Sequence, residues 1–509
     1  MTPSVIPPRR RLAIESVAYM LSNYAAFPLT TACNLLMRRE LGPYLAGVYG
    51  SVLLVGGYFM FANLGVLTAA ERDLPTRRGA RDAEGYDRVA RAAGGFGLLA
   101  GGVVATLFAV VVLVFRQHFD DILLYGLLFI AAMSVVQQWI DYQITLLRTS
   151  GEFLYLSRHT FVAGVALASG GLAGATVGGF YGLLFGLTVV ALWRAVVLTL
   201  RTGAHRIAMF DRPSVVALLR RGVPMLAVGI VITVAQTFDG ILILRYLGVE
   251  SLGLYSLAAS AGALILGLTK AGQAVLYPRM MEEYGRTKDQ VQVVVRYVAG
   301  PLEITGFLLP IPIAALYLGL PVVALTIMPS FAAGFPAVQA NSVATYFWAM
   351  AQLPLSYLTS FGRWRFLCVS LGSALAVQYA VASLLTGEGY GLVGVCVGSG
   401  CGYFVAFTLA VGVGLDDLPA SRRSHVVAVT VVPPAVMGCL LWAVYASWGV
   451  PDGAWWEQWL GAGARYLAFA FVYLAFLAAW PLRSHIRAWL RRRTNMPVAE
   501  AGVHVPGKS

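Results

Sequence analysis

Five ionisable side chains interrupt runs of apolar residues long enough to cross a membrane: Asp141, Arg194, Asp239, Lys270 and Glu303. A charge in hydrocarbon is costly, so each is a functional candidate. Asp239 has Gln236 three residues earlier, on the same helical face. That pair offers oxygens to a small cation, or a carboxyl that carries a proton, and it equally suits an ion pair with a neighbouring helix. Lys270 has Gln273 three residues later and presents a point positive charge of the kind that binds a diphosphate. Its long stem also allows the ammonium to snorkel to the interface, as does that of Arg194, seven residues before a basic linker. Asp141, four residues from Gln137, reads as a structural partner, and Glu303, near Pro301, as a group that neutralises Lys270 or holds an ion. Arg39 and Arg245 stand at the ends of two related helices, placed for capping, lipid headgroups or cargo.

Other chemistries lack their residues. No Gly-rich phosphate loop joins a strand to a helix, and no His-Glu-x-x-His or nucleophile elbow occurs. The five cysteines, Cys33, Cys368, Cys396, Cys401 and Cys439, lie in or beside apolar spans with no histidine at ligand spacing. No catalytic residue, metal or cofactor is expected, and energy must come from an ion gradient, the membrane potential or substrate flow.

The elements that position these groups are membrane helices. Of 509 residues, 58% are hydrophobic and 12% charged, with a mean hydropathy of +0.73. A soluble domain is about a quarter charged. Apolar runs of about 20 residues each match a ~30 Å hydrocarbon core. Fourteen such spans are expected in an all-α polytopic fold. A short turn, Arg38–Tyr44, joins span 1 (Ser16–Met37) to span 2 (Leu45–Ala70), and a charged loop, Glu71–Arg91, follows. A Gly-Gly turn joins spans 5 and 6. Span 8 (Leu252–Leu276) leads to another charged loop, Tyr277–Arg296, and Pro301, Pro310 and Pro312 should kink or interrupt span 9.

The chain also repeats itself. Leu36 to Gly56, shifted by 206 residues, lands on Leu242 to Gly262 with seven of 21 positions identical and no gap. The matches are Leu36/Leu242, Arg39/Arg245, Leu41/Leu247, Gly42/Gly248, Gly47/Gly253, Tyr49/Tyr255 and Gly56/Gly262. Spans 1 and 7 enter from the same side, so the repeat is parallel. The expected layout is a basic tail (1–15), a six-helix bundle (16–200), a linker (201–221), a second six-helix bundle (222–414), two further helices (415–482) and a basic tail (483–509). Of 37 Lys plus Arg, 30 fall in the tails or on one set of alternate loops. By the positive-inside rule that side and both termini are cytoplasmic, which explains the net charge of +13 without nucleic acid.

The motif Arg39-Glu40-Leu41-Gly42-Pro43, then Gly47-Val48-Tyr49, with Asn63-Leu64-Gly65-Val66 closing the second helix, resembles the polysaccharide flippases of the multidrug/oligosaccharidyl-lipid/polysaccharide superfamily. The resemblance covers spans 1 to 12, and spans 13 and 14 match the 14-helix members. It implies two bundles around a cavity that opens to alternate sides of a bacterial cytoplasmic membrane. The implied cargo is an oligosaccharide on a polyprenyl diphosphate, moved to the outer leaflet. Implied partners are membrane lipids, a coupling ion (H+ or Na+), a polysaccharide polymerase and glycosyltransferases. An ion-coupled multidrug or small-molecule antiporter is the alternative, and a membrane-embedded polymerase would need a larger external loop.

Overall fold

A computed structural model describes residues 26–203, 211–416, 420–448 and 455–479. Among these residues it is helical throughout, with no strand. The helices are α1 (Phe27–Tyr58), α2 (Val66–Gly79), α3 (Ala83–Val114), α4 (Asp121–Ser150), α5 (Phe153–Thr202), α6 (Arg212–Tyr246) and α7 (Gly248–Thr287). They continue as α8 (Gln290–Val294), α9 (Gly300–Leu308), α10 (Pro310–Ile327), α11 (Phe335–Ser360), α12 (Trp364–Gly387), α13 (Gly391–Gly414), α14 (Ala420–Trp448) and α15 (Trp455–Ala479). Eleven stretches among the described residues are long and apolar enough to span a membrane. Two of them break at glycine. Counting each of these two as a pair of passes and adding α11 gives fourteen; the expected start of span 1 lies outside the described residues.

The breaks have local causes. Gly42 has φ 73° and is followed by Pro43, so helix hydrogen bonding fails there. Its repeat partner Gly248 has φ 84° and separates α6 from α7. In α5 the break is Gly178–Gly179, and the two arms pack so closely that a Cβ on Gly174 would lie 2.1 Å from the Gly182 carbonyl oxygen. We call the end of the molecule carrying these turns the hairpin end. The opposite, basic end carries ion pairs such as Arg148–Glu71 (2.6 Å), Arg201–Glu152 (2.6 Å) and Arg221–Asp73 (2.5 Å).

Three expectations need correction at the basic end. Span 2 does not run straight to Ala70. It turns at Leu64 (φ 53°) and Gly65 (φ 77°), where Asn63 Nδ2 donates to Gln138 Oε1 (3.0 Å) and Asn63 Oδ1 accepts from the Gly65 amide (3.0 Å). Gln138 Nε2 in turn donates to the Phe59 carbonyl (2.7 Å), so α4 holds the bend. The charged loop Glu71–Arg91 is instead mostly helix, α2 and the start of α3, because α2 buries an apolar face formed by Val66, Ala69, Ala70 and Leu74. Asp82 caps α3: it accepts from the Gly85 amide (2.8 Å) and from Arg77 (2.9 Å), and the Gly85 bond, ahead of the Arg77 charge, holds its carboxyl below the usual range. The second charged loop, Tyr277–Arg296, is also helical, because α7 runs on to Thr287.

Span 9 is interrupted as its prolines require. A π-turn at Val295–Ala299 precedes Pro301, and the helix breaks again before Pro310. Helices α1–α5 form one bundle and α7–α13 the core of the other, with α14 and α15 packed on α9 and α10. Helix α6 belongs to both. Val215 and Leu218 sit in a core with Val66, Leu74 and Val89 of the first bundle, whereas Leu242 and Ile243 sit with Leu252, Ala337 and Val395 of the second.

Candidate functional site

The bundles meet at the hairpin end through the duplicated motif itself. A Cβ on Gly47 would lie 1.9 Å from the Val249 carbonyl oxygen, and one on Gly253 would lie 1.8 Å from the Pro43 carbonyl oxygen. Glycine is required at both because the backbones of α1 and α7 touch. Below this crossing the second arm of α1 runs along α6. Tyr58 and Thr237 share a hydrogen bond of 2.7 Å, and Gly65 abuts Gly222, with a Cβ to oxygen separation of 2.4 Å.

Arg38, not Arg39, enters this seam. Its Nη1 donates to Ser260 Oγ on α7 at 2.6 Å, across the two bundles. No carboxylate pairs with Arg38 among the described residues. Arg39 is exposed, as is Arg245, which lies over the Tyr246 ring at 5.8 Å. Sequence reading passed over Arg38 because only its neighbour repeats; one residue is about 100° of helix, enough to swap an inward for an outward side chain. Lys270, ten residues beyond Ser260 and about 15 Å further along α7, is exposed and has no ion pair among the described residues. Past Ser260, α7 also exposes Ala263, Leu268 and Gly272.

Asp239 is buried at 8% exposure, seven residues before the end of α6. One carboxylate oxygen accepts from the Gly240 amide (2.7 Å) and the other from the Tyr255 hydroxyl. Its partner is therefore the repeated tyrosine, not Gln236, which is half-buried one turn away. In the first copy the positions of Asp239 and Lys270 hold Cys33 and Leu64. Asp239 and Lys270 do not meet: Tyr255 and Lys270 are 15 residues apart on α7, about 22 Å. Glu303 is buried on α9 (8% exposed), and Gln273 Nε2 is buried without a hydrogen-bond partner.

The remaining charges gather in the first bundle. Gln137 Nε2 donates to Asp141 Oδ1 at 2.8 Å. Arg194 is half-buried, with Nε lacking a hydrogen-bond partner. His159, unremarked in the sequence, is stacked between Tyr155 (6.2 Å) and Trp193 (6.0 Å) with Nε2 also lacking one. Among the described residues no three His, Cys, Asp or Glu side chains cluster to hold a metal.

The fold is shared with solved transporters. It is similar to the lipid II flippase MurJ in an inward closed conformation (TM-score 0.68, 10% identity, covering 91% of this chain and 100% of that one). It is also similar to a multidrug resistance MATE family transporter of the MOP superfamily in an inward-facing conformation (TM-score 0.60, 16% identity, covering 79% and 94%). No curated protein sequence matches the chain. The family profile described as polysaccharide biosynthesis protein matches residues 36–331, from the duplicated motif of the first bundle to the middle of the second. The chain belongs to that polysaccharide biosynthesis family and shares its fold with these solved proteins.

Proposed function

We propose that the protein is a flippase that moves an oligosaccharide on a polyprenyl diphosphate from the cytoplasmic to the outer leaflet by alternating access. The observation that carries this reading is the Arg38 guanidinium on the seam. Arg38 crosses between the bundles to Ser260 with no carboxylate paired to it among the described residues, and Lys270 stands exposed further along α7. A guanidinium and an ammonium without acidic partners suit a doubly charged diphosphate passing between them, each binding it by charge-assisted hydrogen bonds. The family match supports a polysaccharide precursor as cargo. The bundles at 16–200 and 222–414 are the moving bodies, the basic end faces the cytoplasm, and polymerase and glycosyltransferases act on either side of the transport step.

Asp239 is the coupling group in this reading. It is buried, has no cation among its described partners, and takes a hydroxyl and an amide donor. A proton or Na+ arriving at this carboxylate would change the packing of α6 against α7, the helices that carry the seam.

The test is transport in vesicles. Purified protein is expected to deliver a fluorescent polyprenyl-diphosphate oligosaccharide to the opposite leaflet, and cells lacking the gene are expected to accumulate the lipid-linked precursor. Normal polysaccharide export together with raised drug sensitivity in those cells would instead establish the antiporter.

A further inference from the structure

A cavity of about 370 Å³ opens between α7, α9 and α11 in the half of the second bundle nearer the basic end. Leu268, Leu276, Leu302, Leu309 and Met350 give it apolar walls. Its shape follows from the interrupted span: Pro301 and Pro312 line it, on either side of the break before Pro310. Two residues at its rim, Leu268 and Leu308, are each 55% exposed.

The first copy has no such space. The positions 206 residues before Leu268, Gly272, Gln273 and Leu276 are Ala62, Val66, Leu67 and Ala70, with exposures of 4%, 0%, 7% and 1%. There the chain bends at Leu64–Gly65 and packs α2 into the bundle; α7 continues unbent, and its corresponding face is left uncovered. The duplication thus filled this position once and left it open once.

Two features mark what the open copy takes. Gln273 lines the cavity with Nε2 buried and no acceptor in reach, which costs free energy until an oxygen arrives. Lys270, one turn away on the same helix, is exposed. From Gly248 to Lys270 is 22 residues, about 33 Å of helix, enough to cross a ~30 Å hydrocarbon core. On α7 the cavity lining straddles Lys270, with Leu268 and Thr269 on the Gly248 side and Gly272, Gln273 and Leu276 beyond it.

We propose that this cavity seats the first isoprene units of a polyprenyl phosphate lipid, with Lys270 and the Gln273 amide on the phosphate oxygens. The proposal rests on the flippase reading and adds to it a berth for the lipid part of the cargo, separate from the seam that the sugar crosses. The berth belongs to the second bundle alone, so the tail stays with that bundle while the seam opens and closes.

The test uses the full chain in nanodiscs with a polyprenyl monophosphate carrying a diazirine in its phosphate-proximal isoprene unit. A Cβ on Gly272 meets nothing within 4 Å, so Gly272→Leu starts a bulky side chain from an unobstructed position on the cavity wall. Photolabelling is expected on α7, α9 and α11 peptides of the native protein and at least tenfold lower in Gly272→Leu, with unchanged unliganded Tm. Gln273→Leu is expected to raise the unliganded Tm and to erase the preference for polyprenyl phosphate over uncharged polyprenol. Label confined to other helices while vesicle transport persists would overturn the berth and leave the flippase standing. Loss of both transport and labelling in the native protein would overturn the function. Equal competition by phosphatidylglycerol would assign the cavity to bulk membrane lipid and reject the proposal.

Discussion

Gly47 and Gly253, 206 positions apart, each lie against the carbonyl of the residue four before the other: Gly47 on Val249 and Gly253 on Pro43. Because Pro43 and Val249 are themselves 206 apart, the contact is nearly symmetric, and the duplicated motif closes on its own copy. Gly47→Val and Gly253→Val should therefore act alike, forcing α1 and α7 apart at the hairpin end. Spin-label distances between Tyr44 and Glu250 should lengthen in both variants, and a change in only one would show that the two sides are not equivalent.

Arg38 and Arg39 separate half-buried from exposed charge at adjacent positions. Arg38→Ala should lower cargo affinity by roughly tenfold to a hundredfold, about one lost charged hydrogen bond. Arg38→Lys should keep part of that affinity and Arg39→Ala nearly all of it. Titration of labelled cargo into purified variants is the measurement, and equal losses at both positions would remove Arg38 from the seam.

Lys270→Ala is expected to stop transport at normal protein level, with Lys270→Arg retaining a fraction. Wild-type transport by Lys270→Ala would reduce this lysine to a snorkelling side chain.

Asp239→Asn keeps the shape of its site while fixing the charge at zero: its amide oxygen still accepts from the Gly240 amide, and the Tyr255 hydroxyl turns to accept from its amide nitrogen. Cargo should still bind, but transport should no longer respond to an imposed ion gradient. Tyr255→Phe should weaken that response less, since the Gly240 amide remains. A full gradient response in Asp239→Asn would transfer coupling to another group, Asp141 first.

The bend at Leu64–Gly65 depends on a side chain 75 residues away. Gln138→Leu deletes the donor to Phe59 and the acceptor for Asn63, two hydrogen bonds worth about 0.5–1.5 kcal/mol each, while the Phe59 carbonyl keeps the Ala62 amide and Asn63 Nδ2 keeps the Met60 carbonyl. Its Tm in detergent should fall by several degrees, and an unchanged Tm would mean that packing alone holds the bend.

What could be read in advance was what local chemistry dictates. Gly42, Gly178 and Gly179 fall where turns were expected, because glycine there costs the chain nothing else, and the prolines of span 9 interrupt it as their missing amides require. The bend after Phe61 was hidden because its cause, Gln138, lies in another helix. Charge density disguised α2 as a loop, since its apolar face is only a narrow stripe beneath arginines. At the seam, the repeat drew attention to Arg39, whereas the residue that crosses is the unrepeated Arg38. Divergence between copies singled out other residues: Asp239 and Lys270 are charges that only the second copy carries.

The double membership of α6 has a consequence for how such a chain could have arisen. Its first turns are buried against Val66, Leu74 and Val89, and Arg221 pairs with Asp73, so the seam of the gene duplication is not the seam of the folded body. A chain severed between residues 203 and 211 would yield one fragment missing part of its own wall and another trailing an unclothed apolar turn. Neither half as now packed covers its own apolar surface, so only the two fragments produced together should assemble.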